Sequence, residues 1–570
     1  MKIRKMKIKD RGIYIVLLSM ILIAEVIGGG YFVFVSSFMN VIGGISVFFL
    51  LLRAKKIYIS KSMTSISISL FVFMYFIVCL WAVDRGTAFM GAMKFFPVAV
   101  FLFLICQKEE RENLIALLPL LGSLMTIFSF VMMQFEIFKP SVTVAGRLAG
   151  FFQYPNTYAV FMLVCLLISI FRLNFKQLDW LEILYIIVEI FGIYMSGSRT
   201  VFVLTIFSLI LVLVARKEKL KMLLGIFLVF GVIAGILFFT EDGRELVLRI
   251  SGMSTGFSTF FGRILYVQDA VKLILKHPLG LGYYGYYFMQ QEIQTGVYSV
   301  VNAHNELIQA MLDIGIIPGI FLYIGIVKSI FSSRTEARNK IVLTVLLLHS
   351  LFDYDLQFLI MWYVLILFID LGTIKEYKIS GLTKTVSAIV GVAVIGCAVS
   401  VGLSDLFYII NDFSKAEQMY EGNTLAKIDS LSEIESVEEL QEKADEILKE
   451  NEHVAIAYSA KARALFSQGE VEGFIKNKLT ALQMAPYQYE EYTDYLDTLA
   501  YCVGEYIQKK DMDSAKSCLL RAEQVPGMLE TVKKKTSMLG WKIKDRPEVT
   551  LSQEYFDLID EMREKINEKE

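Results

Sequence analysis

Stretches of roughly 20 apolar residues recur along the first two thirds of the chain, and this recurrence limits what it can fold into. They fall near residues 12–29, 31–52, 64–82, 87–106, 114–135, 157–172, 180–195, 200–215, 220–239, 305–330, 340–353, 356–372 and 383–409. A helix of that length crosses a bilayer core with its backbone hydrogen bonds closed internally, as lipid demands. The alternating short strands of a membrane barrel are not seen. Hydrophobic residues make up 55% of the chain and its mean hydropathy is +0.55. The expected fold class is therefore all-α, a polytopic helical membrane protein of about 12–13 spans. Gly28-Gly29-Gly30 follows the first span directly, without a small-residue cleavage site, so an uncleaved first helix is expected.

Charge divides the chain in two. Residues 1–411 hold 35 Lys and Arg against 24 Asp and Glu, and residues 412–570 hold 21 against 33. A mildly basic membrane part is thus joined to an acidic, soluble tail, and neither shows the clustered basic face of a nucleic-acid binder. The cations also alternate. The N-terminus and every second connector after it (53–61, 108–111, 172–176, 216–221, 328–340 and 375–384) hold 25 of the 35. By the positive-inside rule these connectors face the cytoplasm, which predicts thirteen spans with the tail outside. The six cysteines show no metal-ligand spacing. Cys502 and Cys518 flank the turn near Lys510 at similar distances, so an antiparallel helix pair would set them opposite each other.

Chemistry is expected in the long connector 240–304, because long connectors in compact proteins usually bind or cover something. It contains Phe261-Gly262-Arg263, His277-Pro278-Leu279-Gly280-Leu281-Gly282 and Ala303-His304-Asn305. Arg263 is expected in the first turn of a helix running to Lys276, and His277 at its end, where proline and glycine stop it. His304 stands where loop becomes span. A histidine at a water-facing mouth can act as general base, and it can equally serve as a helix cap. Arg147 and Arg199 also fall on the side where cations are scarce. An arginine there can snorkel to the headgroups. A guanidinium also grips phosphate through two parallel hydrogen bonds and keeps its charge, so three together would suit a lipid pyrophosphate. Asp353-Tyr354-Asp355 lies in a tight connector; two carboxylates at that spacing could hold a divalent cation, and a solvated turn is the simpler expectation.

The tail, residues 412–570, is expected to be a soluble α-helical module of tetratricopeptide-like units. Gln468-Gly469-Glu470-Val471 marks an inter-helix turn and Pro486 a helix end, with a looser copy from Lys510 to Pro526. A generic helical hairpin bundle fits the same pattern. Its expected task is binding a protein partner or spacing.

Several of these stretches, taken in order, resemble the O-antigen ligase and Wzy polymerase family of bacterial membrane glycosyltransferases. They are R-L-A-G-F-F-Q-Y-P-N at 147–156, S-G-S-R at 196–199, G-R at 262–263, H-P-L-G-L-G at 277–282, A-H-N at 303–305 and H-S-L-F-D at 349–353. The resemblance implies a GT-C-like transmembrane domain over residues 1–411, with its catalytic loop at 240–304 on the extracytoplasmic side of the cell membrane. It implies transfer of a glycan from undecaprenyl pyrophosphate to an acceptor hydroxyl on a glycan, lipid or protein, by inversion, without metal or other cofactor. Arg199 and Arg263 would hold the pyrophosphate and His304 would act as base. Arg147, Asn305 and Asp353 would bind substrate. Polymerase and ligase share this donor site, so both remain open. A flippase of lipid-linked sugars is the alternative from another class; a transporter should show matched halves with interrupted helices, whereas no such duplication is seen and intramembrane charge is sparse.

Overall fold

The computed structural model describes residues 11–107, 111–174, 179–216 and 253–569. The span expected near 220–239 and the first part of the long connector, 240–252, with its cations Arg244 and Arg249, lie outside the described residues.

The described residues are predominantly helical. The bundle is built from α1 (Arg11–Val26), α2 (Val33–Arg53), α3 (Met63–Val78), α4 (Arg85–Cys106), α5 (Arg111–Met132), α6 (Pro155–Arg172), α7 (Trp180–Ser196) and α8 (Arg199–Ala215). After the long connector it resumes with α11 (Glu306–Ile314), α12 (Ile316–Ile330), α13 (Ala337–Ser350), α14 (Leu359–Phe368) and α15 (Gly381–Ile409), the connector itself holding α9 (Met253–Lys276) and α10 (Gly285–Ile293). Five of these, α2, α4, α5, α6 and α15, are long and apolar enough to cross a membrane, with shorter apolar helices beside them.

Burial follows sequence. The run Leu-Ile-Met-Trp-Tyr-Val-Leu-Ile-Leu-Phe of α14 is apolar on every side, and every residue of α14 is buried. It packs against α1, α4, α5 and α13 and forms the centre of the bundle. By contrast α15 buries little of itself: it packs on α2, where Gly402 sits against Ser37, and near its C-terminal end on Phe413–Met419, where Ser404 donates to Ala416 O. The rest of its apolar surface is exposed, as a lipid-facing helix requires.

The two ends of the bundle differ. At one end Lys56–Ser60 pairs antiparallel with Ile374–Lys378, a small sheet that hydropathy alone does not predict. Arg111 donates to Ile369 O at 2.7 Å, Arg338 pairs with Glu112 at 2.9 Å, and Arg216 donates to Leu173 O at 3.0 Å. The cation-rich connectors therefore share one end. The opposite end carries the connectors 143–157, 197–199 and 351–358, the described part of the long connector (253–304) and the tail.

Three expectations need correction. The single span expected over 305–330 is broken: Gly315, at φ +96°, separates α11 from α12. Helix α9 begins ten residues before Arg263, so Arg263 sits at mid-helix rather than in a first turn. The tail is a succession of helices from Phe413 to Asn567. The turn at 468–470 separates Ala455–Ser467 from Val471–Met484, as expected. Pro526 does not end its helix, which runs on from Met512 to Lys535.

Candidate functional site

The stretch Gly280-Leu281-Gly282 positions the long connector. Gly280 and Gly282 adopt φ of +92° and +86°, and a Cβ on Gly280 would stand 2.6 Å from Asp313 O. Leu281 N and Gly282 N donate to Leu312 O and Asp313 O at 2.6 and 3.0 Å, so the turn is tied to the end of α11. Helix α9 is thereby fixed across the mouth of the bundle, and Arg263 reaches the connector 351–358.

Asp353 is the hub of that mouth. Its Oδ2 accepts from Arg263 Nη2 at 3.0 Å and from Asn156 Nδ2 at 2.8 Å. Its Oδ1 accepts from Tyr154 OH at 2.6 Å and Tyr354 N at 3.1 Å, and stands 3.3 Å from His304 Nδ1. Asp353 is only 1% exposed, and Asp355 is 2% exposed. The expectation of a solvated turn is therefore wrong. Burial opposes the Asp353 carboxylate, but the charge of Arg263, with His304 and His349 nearby, outweighs it and holds the pKa well below the usual carboxylate range.

Arginines gather around the hub. Arg263 also donates to Phe352 O at 2.6 Å, which uses two of the five N–H donors of a guanidinium. Burial opposes its charge, and Asp353 more than restores it. Arg147 donates to Ser196 O at 2.6 Å and to Asn156 Oδ1 at 2.7 Å, so Asn156 links Arg147 to Asp353. The pKa of Arg147 is lowered by burial and further by the like charges of Arg263 and Arg199. Arg199 opens α8 just after Gly197, whose left-handed conformation ends α7. The three arginines singled out in the sequence therefore share one region.

His304 has φ +50°, a conformation that L residues seldom adopt. Its ring meets Tyr354 edge-on at 4.8 Å and lies 5.9 Å from Tyr266, with the side chain 21% exposed. With Nδ1 turned to Asp353, Nε2 is the nitrogen left for chemistry. Asn305 holds this arrangement: Oδ1 caps α11 through Ile308 N at 3.1 Å, and Nδ2 donates to Leu351 O at 2.8 Å. Its side chain is committed to binding the two connectors together.

Sequence reasoning missed three contributors, Tyr154, Asn156 and His349, and the pairing of a fourth, Asp355, which it took only for half of a possible cation site. Tyr154 and Asn156 lie inside the 147–156 motif, but nothing local shows that they face Asp353. His349 and Asp355 form a second, deeper pair at 2.5 Å, and Asp355 also accepts from Thr157 at 2.8 Å. The motif H-S-L-F-D was the available signal; it marks the position without revealing the pairing.

Residues 184–324 match the family model described as O-antigen ligase. The match takes in Arg199, Arg263, His304 and Asn305, while Arg147 and Asp353 lie outside it. It supports the O-antigen ligase and Wzy family for this chain, and with it a glycosyltransferase-type activity in surface polysaccharide assembly within a multi-pass membrane protein. No curated protein matches the chain.

Proposed function

We propose that the protein transfers a glycan from undecaprenyl pyrophosphate to an acceptor hydroxyl, at the extracytoplasmic end of its transmembrane domain. One observation carries the reading: Arg263 and His304 meet on a single buried carboxylate, Asp353, with Arg147 and Arg199 beside them. Gathered cations suit a pyrophosphate leaving group, and a histidine oriented by a carboxylate suits proton abstraction. The division into a membrane domain over 1–411 and a soluble tail over 412–570 belongs to the same proposal. The site lies at the end away from the cation-rich connectors, which supports its outward orientation.

The chemistry needs no nucleotide. The acceptor oxygen forms a bond to the anomeric carbon as the bond from that carbon to the pyrophosphate oxygen breaks. The pyrophosphate departs with the bonding electrons, and the arginines stabilise the charge that grows there, an electrostatic effect concentrated in the transition state. The acceptor proton passes to His304 Nε2, for which a gain of roughly 10²–10⁴ is usual. Attack opposite the leaving group inverts the anomeric configuration.

Analysis of surface glycans in a deletion strain tests the reading and separates its two forms. Single repeats without long chains indicate a polymerase; long chains left on the lipid carrier indicate a ligase. A deletion strain with unchanged glycans would refute both.

A further inference from the structure

The acidic tail returns to the bundle and closes over the segment that carries His304. The union is partly backbone. Ser537 N donates to Thr295 O at 2.9 Å, and Gly540 approaches so closely that a Cβ there would stand 2.2 Å from the same oxygen. It is partly charge: His453 Nδ1 meets Glu292 Oε1 at 2.5 Å, and Lys535 Nζ donates to Glu292 O at 2.8 Å. It is also apolar, since Leu539 and Ile543 pack with Leu265, Tyr266 and Tyr298.

What lies beneath gives the contact its meaning. Asp269, fully buried on α9, accepts from Thr295 N at 2.8 Å, Thr295 Oγ1 at 3.0 Å and Tyr298 OH at 3.1 Å. Arg263 is on the same helix. Tyr266, between Arg263 and Asp269, stands 4.7 Å from Tyr298 and 5.9 Å from His304. One layer of side chains therefore separates the tail from both groups of the site. Residues 294–305, between α10 and α11, contain no helix or strand, yet they hold His304 at φ +50°. A backbone in a sparsely populated conformation persists only where its surroundings over-determine it. The tail supplies part of those surroundings.

We infer that residues 535–543 form a strap that positions His304 and Arg263 for the transfer step, with Gly540 as a positioning residue. The inference rests on the glycosyl-transfer reading above. The tail is then part of the working site, and its attachment sets turnover without touching the donor.

The test compares Gly540→Ala with Gly504→Ala, whose added methyl meets nothing within 4 Å. Full-length protein in nanodiscs is assayed for glycan transfer from a lipid-pyrophosphate-linked donor, and for amide hydrogen exchange. Gly540→Ala is expected to speed exchange across 292–304 and leave the helices between 455 and 535 protected. It should lower kcat by about tenfold to hundredfold, the scale of a small misplacement, with donor KM within about twofold. Gly504→Ala should match wild type. Should Gly540→Ala fail to fold, Lys535→Met, which removes the bond to Glu292 O and a positive charge near Asp269 and Glu292, is expected to shift exchange and kcat in the same direction by a smaller amount. Unchanged exchange at 292–304, or loosened exchange with wild-type turnover, overturns the strap. Parallel loss of kcat, donor affinity and bundle protection would make the contact merely structural and also overturn it. A wild-type protein that transfers nothing refutes the glycosyl-transfer reading instead, and the inference falls with it.

Discussion

Replacing Asp353 by asparagine should cost most of the activity while changing one atom. Five donors converge on this carboxylate, from Arg263, Asn156, Tyr154, His304 and the Tyr354 backbone. An amide has only one acceptor oxygen. Turned towards Arg263 and Asn156, it presents its NH2 to Tyr154, His304 and the Tyr354 amide; turned the other way, it confronts Arg263. Each buried donor left without a partner costs about 1–3 kcal/mol. The loss of charge beside a guanidinium only 20% exposed brings the total to about 3–5 kcal/mol, the usual penalty for breaking a buried ion pair. Part of that will appear as lowered stability. The part that loosens Arg263 and His304 will appear in turnover, and since about 1.4 kcal/mol is tenfold in rate, a fall on the order of 10²–10³ in kcat is expected. The assay is transfer from a lipid-linked glycan by purified variant in nanodiscs, with thermal unfolding measured on the same sample. Turnover within about threefold of wild type would refute the hub. The sign of the pH dependence follows too. The folded pKa of Asp353 is depressed below its ordinary value, so its contribution to stability is fully present above about pH 4. It is lost only as pH falls through the lower folded value.

Arg263→Lys should lose about 10² in turnover at near-normal protein level, because an ammonium lacks the planar fork that spans Asp353 and Phe352 O; near-wild-type transfer would remove the arginine's part. His304→Gln should lower kcat far more than donor affinity, as expected of a base acting mainly in the transition state, and a variant that loses donor affinity alone would make His304 a binding group. Arg147→Ala, which abandons Ser196 O and Asn156, should destabilise the bundle by about 1–3 kcal/mol in thermal unfolding and slow transfer; an unchanged melting curve would contradict this. The bond to Glu292 raises the pKa of His453 above its ordinary value, so this tail contact is fully formed below about pH 6.5 and lost as pH rises through the raised value. Exchange at 285–298, corrected for intrinsic rates, should therefore be slower at acidic than at alkaline pH.

The helical class and the positions of most apolar helices were legible in sequence, five of them long enough to cross a membrane, because a bilayer-length apolar run has few other uses. The run of α14 also declared its own burial. Arg199, Arg263 and His304 were legible for a different reason: polar groups stand out in a chain this apolar. Their meeting point was not. Asp353 sits in a short connector, where the local sequence argues for solvent. Its burial depends on Tyr154 and Asn156 arriving from another connector and on α9 crossing above. The break at Gly315 was hidden because isoleucines flank it on both sides, Ile314 before and Ile316 and Ile317 after. The strap was invisible as well, since Gly296 and Gly540 are 244 positions apart and neither carries a side chain to announce the contact.

The most direct test of the account is reconstitution of the purified full-length protein with an undecaprenyl-pyrophosphate-linked glycan and an acceptor bearing a free hydroxyl. The account predicts glycoside formation matched one for one by release of undecaprenyl pyrophosphate, with inverted anomeric configuration, and abolished in Arg263→Ala. Transfer that persists in Arg263→Ala, or retention of configuration, would contradict it.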